Sequence, residues 1–148
     1  MGKSTQISLL AQWLNGAGEK ALVTREPGGT ELGRTLRNAV LHGGDVDPRA
    51  EALLYAADRA HHVATLVRPA LERGEVVVTD RYLDSSIAYQ GNARALGGEQ
   101  IRRLSLWATR GLMPDVTILL DLDPVEAAAR RAEVAPDRLE SESLAFHR

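Results

Sequence analysis

Four residues at the start of the chain, Gly2, Lys3, Ser4 and Thr5, match the last part of the phosphate-binding pattern G-x-x-x-x-G-K-[ST]. In that pattern, backbone amides and the amino end of a helix hold phosphate oxygens. The lysine reaches the outer phosphates of a nucleoside triphosphate, and the hydroxyl of the next residue joins the shell of Mg2+. Lys3 and Ser4 are the residues placed for those tasks. A capped surface helix with an incidental lysine would show the same four residues, so the fragment alone leaves both readings open.

Three further clusters carry groups suited to nucleotide chemistry. In "DRYLDSSIAYQG", Asp80 and Arg81 follow a run of valines. An arginine there can grip a phosphate through two parallel hydrogen bonds. A strand-end salt bridge is the plainer alternative, but Ser85, Ser86, Tyr89 and Gln90 supply more polar groups than a simple connection needs. In "LLYAADRAHH", Tyr55 and Arg59 are four apart and share a helix face. A ring that stacks on a base, beside a cation that reads its edge, would make a nucleobase pocket. An aromatic core residue next to a solvated arginine fits the same spacing. His61 and His62 are adjacent, which is poor metal-ligand spacing, and both are expected at the surface. In "RRAEVAPDRLESESLAFHR", Arg130, Arg131 and Arg138 bracket an Ala-Pro break. They suit a lid that closes over a phosphoryl group; a charged helix pair with an Arg138–Glu142 contact is the alternative.

The elements that must position these groups alternate in type. Ser4 to Leu14 has helical spacing, with Ile7, Leu10, Ala11 and Leu14 on one face, and "NGAG" stops it. "KALVT" reads as a strand and "REPGGT" as the loop after it. A helix is predicted over Glu31 to Leu41, and a longer one from Pro48 to about Arg68, where Pro69 interrupts it. "EVVVTDRY" holds three consecutive valines, the mark of a strand covered on both faces. Another helix is predicted over Glu99 to Arg110. "VTILLDLDP" reads as a third apolar strand, with Asp123-Pro124 opening a further helix. Strands alternating with helices predict an α/β domain with a parallel sheet. Ligands of such sheets bind beyond the carboxyl ends of the strands, where "TREPGGT", "DRY" and "DLDP" all fall.

Composition narrows the class without naming the function. The chain has 148 residues, 44% hydrophobic, with a net charge of -2 and no cysteine. That fits one domain, offers no basic coat for nucleic acid and excludes disulfides and zinc–thiolate sites. No apolar run is long enough for a bilayer, so no membrane partner and a cytoplasmic location are expected.

Taken in order, "GKSTQ", "TREPGGTELG", "LLYAADRAHHV", "VVTDRYLDSSIAYQG", "PDVTILLDLDP" and "DRLESESLAFHR" resemble the bacterial thymidylate kinases from end to end of the chain. The resemblance implies a three-layer P-loop kinase fold, with a parallel sheet between helices, over residues 1–148. It implies ATP-dependent phosphorylation of dTMP with Mg2+, and a homodimer. Residue by residue, it places Gly2, Lys3, Ser4 and Thr5 on the ATP phosphates, with Ser4 and Asp80 near the metal. Tyr55 stacks on thymine and Arg59 reads its edge. Arg81 holds the dTMP phosphate, and Arg25 and Glu26 belong to the loop near it. Ser85, Ser86, Tyr89 and Gln90 wall the base and deoxyribose. Lys3, Arg81, Arg131 and Arg138 carry the charge of transfer, the last two from a lid over about residues 130–142.

The family pattern has a strand and a complete glycine-rich loop before "GKST", and a further helix, strand and closing helix after "FHR". The expectation is therefore a chain truncated at both ends, with "TILLDL" parted from the other strands by a gap and with poor turnover of dTMP by these residues alone. Two other readings stay open: another deoxynucleoside or nucleotide kinase on this scaffold, and an inactive nucleotide-binding paralogue.

Overall fold

The structure, a computed structural model, describes residues 2–123 and 125–126. Two parallel strands form its sheet: β1 (Ala21–Arg25) and β2 (Val76–Asp80), in register from Ala21 opposite Val76 to Arg25 opposite Asp80. Parallel strands need a long crossover. Here it consists of α2 (Glu31–His42), α3 (Pro48–His62), a π-helical turn (Val63–Val67) and α4 (Arg68–Glu72). Helix α1 (Lys3–Gly16) precedes β1 and packs on both strands. After β2 come α5 (Leu83–Ser86), a second π-helical segment (Ile87–Ala93) and α6 (Gly98–Thr109). The α/β class with a parallel sheet is as the alternation predicts.

Local chemistry explains most of the boundaries. The Thr30 hydroxyl accepts the Gly33 N–H at 3.0 Å and opens α2. The Asp47 carboxylate accepts the N–H groups of Arg49 and Ala50 at 2.9 and 3.2 Å, and Pro48 occupies the first turn of α3. The predicted stop at Pro69 does not occur. The π-helical turn ahead of it starts a new α segment, and Pro69 falls in that segment's first turn, where no N–H is needed.

Two predicted strand properties need correction. The β2 valines are half-buried rather than enclosed, because the two-stranded sheet is not covered on all sides. Residues 116–122 form no strand, because among the described residues no neighbouring strand supplies a ladder. Val116, Ile118 and Leu119 are accordingly 76%, 70% and 84% exposed. This agrees with the expected gap between "TILLDL" and the other two strands. Beyond it, Asp123 still caps a helical turn, accepting the Val125 N–H at 2.8 Å.

Val63, Tyr82 and Leu83 form an apolar cluster joined by Ile87 and Leu112, and the Tyr82 hydroxyl donates to the Leu112 carbonyl at 3.0 Å. The buried side of α3 is different. Glu51, Asp58, Arg59 and His62 are all within 2% of fully buried, while Leu53 on the same helix is 59% exposed. Tyr55, Asp58, Arg59 and His62 share helical spacing, so α3 turns a polar face inward. Among the described residues, no helix is long and apolar enough to cross a membrane.

Candidate active site

The register of the sheet brings the predicted clusters to one edge. Arg25 and Asp80 end their strands side by side, and the Glu26 N–H donates to the Asp80 carbonyl at 3.0 Å. Helix α1 starts at the same end: Lys3 Nζ lies 3.9 Å from Asp80 Oδ1. Asp80 Oδ1 is buried and, among the described residues, has no hydrogen-bond partner. Gly2 caps α1 at φ 81°, a conformation that suits glycine, and Ser4 and Thr5 stand exposed on the first turn.

Arg81 is held in an unusual shape. Its φ is 73°, in the left-handed region that a side chain disfavours. The Thr79 hydroxyl donates to the Arg81 carbonyl at 3.0 Å and braces that turn. The guanidinium carbon sits 5.4 Å from the centre of the Tyr89 ring, within cation–π range, and Nη1 approaches Ser85 Oγ at 3.4 Å. Arg81, Ser85 and Tyr89 thus form one group on the segment after β2. That segment is α5 plus a π-helical stretch, an element the sequence reading did not assign.

Arg59 is not solvated. It is 2% exposed, and its guanidinium is fixed from three sides. Nε donates to Glu26 Oε2 at 2.7 Å, Nη1 to Ser105 Oγ at 2.9 Å and Nη2 to Ser86 Oγ at 3.1 Å. Glu26, 3% exposed, therefore turns its carboxylate inward, away from the open strand ends. His62 was expected at the surface and is fully buried instead. Its Nδ1 lies 2.8 Å from Glu26 Oε1, and its Nε2 lies 2.7 Å from Thr24 Oγ1. Burial is tolerable because both ring nitrogens have partners.

The glycines of "EPGGTELG" follow from this packing. Gly28 N–H donates to Asp58 Oδ1 at 3.2 Å. A Cβ on Gly29 would meet His62 Cδ2 and Thr24 Oγ1 at 2.7 Å, and one on Gly33 would collide with Asp58 Oδ1. The loop approaches the polar face of α3 too closely for side chains. Burial is also the main reason the Asp58 carboxyl is pushed above the ordinary carboxylate value; Glu26 adds to the rise, while the Gly28 N–H, His62 and Arg59 oppose it.

Gln90 is buried, and its amide donates to Glu51 Oε1 at 2.8 Å, tying the second π-helical segment to the start of α3. Tyr55 is half-buried on α3, one turn before Arg59. Arg131, Arg138 and the lid over 130–142 lie outside the described residues. A groove of about 740 Å³ between the first π-helical turn and α4 on one side and the end of α6 on the other, lined by Val63, Arg68 and Trp107, holds none of the predicted site residues; the convergent charges at the strand ends mark the site better than this volume does.

Sequence reasoning missed His62, Asp58, Glu51, Thr24 and Ser105. A signal existed for α3, where polar residues recur at the spacing normally held by apolar ones. Ser105 carries no such mark.

Comparison with known proteins agrees with the geometry. The family described as thymidylate kinase matches residues 1–148. A thymidylate kinase of Leifsonia xyli is 64% identical over 150 residues, covering 99% of this chain and 71% of the relative. Those of Clavibacter sepedonicus and Cutibacterium acnes are 61% and 54% identical, with 99% of this chain covered in each case and 71% and 72% of the relatives.

Proposed function

The chain belongs to the thymidylate kinase family, and we propose that it works as that enzyme, transferring the γ-phosphoryl group of ATP to dTMP. The observation that carries the reading is the convergence of Lys3, Asp80 and Arg81 at the carboxyl ends of β1 and β2. The rival readings, another nucleotide kinase and an inactive paralogue, have no observation in their favour.

The reaction needs alignment and charge more than covalent chemistry. The acceptor phosphate is already ionised at neutral pH, so its oxygen attacks the γ-phosphorus without a general base. Arg81, steadied by its left-handed turn and by Tyr89, binds that phosphate. Lys3 and the amides of the first turn of α1, from Gly2 to Thr5, take the donor phosphates. Arg25 stands at the end of β1 beside this path. Tyr55, Arg59, Ser86 and Gln90 surround the base, with Ser85 and Tyr89 nearer the sugar and phosphate. Arg131 and Arg138 close over the transferred group and exclude water.

Mg2+ fits the residues present. Among the described residues Asp80 Oδ1 is buried without a hydrogen-bond donor, the state expected of an oxygen that serves a cation or its water shell. Ser4 and Asp80 would hold the ion, which supplies charge neutralisation on the donor phosphates. A homodimer completes the proposal; sedimentation velocity tests it.

Turnover is best measured in a chimera in which residues 1–148 replace the matching part of the Leifsonia xyli relative, since the chain covers 71% of that protein. ADP formation should be faster with dTMP than with dUMP, dCMP or dGMP. A methyl group in an apolar slot gives about 1–3 kcal/mol, so the margin over dUMP should be moderate and the others worse. Equal kcat/KM for dTMP and dCMP would overturn the assignment.

A further inference from the structure

Four side chains form a continuous, largely buried line from β1 to α3. Thr24 Oγ1 meets His62 Nε2 at 2.7 Å, His62 Nδ1 meets Glu26 Oε1 at 2.8 Å, and Glu26 Oε2 receives Arg59 Nε at 2.7 Å. A carboxylate only accepts, so the proton of the His62–Glu26 contact sits on Nδ1. Glu26 has one oxygen for each partner. Its orientation is therefore set as much by the imidazole as by the guanidinium, and Arg59 is aimed by a carboxylate that His62 holds.

We propose that His62 is a positioning residue: through Glu26 it holds the Arg59 guanidinium in the orientation that presents its remaining N–H groups to the acceptor nucleobase. The proposal rests on the kinase reading for its ligand and on geometry for the line itself. An Arg has five N–H donors, and among the described residues three of those of Arg59 have protein partners. Two stay available for acceptors such as base carbonyl oxygens. At 2% exposure the guanidinium is enclosed by its neighbours, and a planar group in such a place discriminates only if its plane is fixed. Ser86 and Ser105 steady its outer nitrogens, but neutral hydroxyls hold a cation less firmly than a charged, well-directed carboxylate does. The same imidazole sits against Gly29, so the "EPGGT" loop is registered on the ring that aims the base reader.

Two substitutions separate this role from simple filling of space. His62→Asn puts an amide N–H where Nδ1–H stood and loses the contact to Thr24. His62→Gln reaches toward Thr24 and loses the donor to Glu26. Both keep a polar, smaller side chain. Thermal melts establish that each variant folds. The readouts are dTMP affinity by calorimetry and the hydrogen-exchange protection of the Arg59 Nε–H in nitrogen-15 spectra of the nucleotide-free chain. His62→Asn should bind dTMP within about threefold of wild type, whereas His62→Gln should bind about tenfold more weakly and lose Arg59 Nε–H protection by a similar factor. Equal dTMP affinities in the two variants, or unchanged Arg59 protection in His62→Gln, would overturn the proposal. The dTMP affinities are measured in the chimera described above; its failure to bind dTMP with wild-type His62 would refute the kinase reading and the nucleobase half of this one, while the Arg59 signal would still decide whether His62 aims the guanidinium.

Discussion

Arg81 offers a test that separates stability from activity. At φ 73° a residue with a Cβ carries a strain of about 1–2 kcal/mol that glycine does not. The contacts that compensate are modest: a half-buried cation–π contact with Tyr89 at 5.4 Å, of about 0.5–1 kcal/mol, and a 3.4 Å approach to Ser85 that adds little. Arg81→Ala keeps the strain and loses the contacts, so it should destabilise by about 0.5–1 kcal/mol. Arg81→Gly loses the same contacts but releases the strain, less about 0.5–1 kcal/mol for the freer unfolded chain, and should come out close to wild type. In the chimera both should lose about 2–4 kcal/mol of transition-state stabilisation, a fall in kcat/KM for dTMP of roughly 30- to 1000-fold. Urea unfolding and ADP formation measure the two halves. Full activity in Arg81→Ala would show that the arginine is only a strand-end salt-bridge partner. A glycine variant less stable than the alanine variant would show that the left-handed turn is not strained.

Two further substitutions probe the polar face of α3. Glu26→Gln sets an amide donor against Arg59 or His62 and leaves a buried guanidinium uncompensated, which should cost about 3–5 kcal/mol; for a chain of this length that lowers Tm by roughly 10 °C, and a calorimetric Tm within 2 °C of wild type, about half a kcal/mol, would refute it. Asp58→Asn keeps an oxygen for the Gly28 N–H and removes a buried charge, so Tm at neutral pH should hold or rise. Because the folded-state pKa of Asp58 lies above the ordinary 3.8, the folded chain binds the extra proton first. Its contribution to stability therefore grows as pH falls from the raised value towards 3.8 and is constant outside that window. The difference in unfolding free energy between wild type and Asp58→Asn should narrow over that window; a gap that widens on acidification would contradict the assignment.

The sequence made the strand-end clusters legible because their residue types are chemically unusual in the places where they fall. "DRY" after a valine run and "REPGGT" after "KALVT" need no tertiary information to be suspected. The glycines of that loop were visible, but their cause was not, since Asp58 and His62 lie on a helix far along the chain. Arg59 and His62 were read as surface or pocket residues because a charged side chain is usually solvated. Only the complete set of partners, Glu26, Thr24, Ser86 and Ser105, makes their burial affordable, and no local pattern announces partners from four elements. "TILLDL" shows the reverse limit. Its apolar run marks a strand by pattern, yet a strand needs a neighbour, and periodicity cannot supply one.

The central claim is that the acceptor nucleotide sits at the carboxyl ends of β1 and β2, against the polar face of α3. Titrating dTMP into nitrogen-15-labelled chain tests it directly. The account predicts saturable shifts concentrated at residues 25–29, 80–86 and 89–90 and at the Arg59 side chain, with dCMP binding more weakly. Shifts concentrated around Trp107 and Arg68 in the groove between α4 and α6, with the strand ends unmoved, would contradict it.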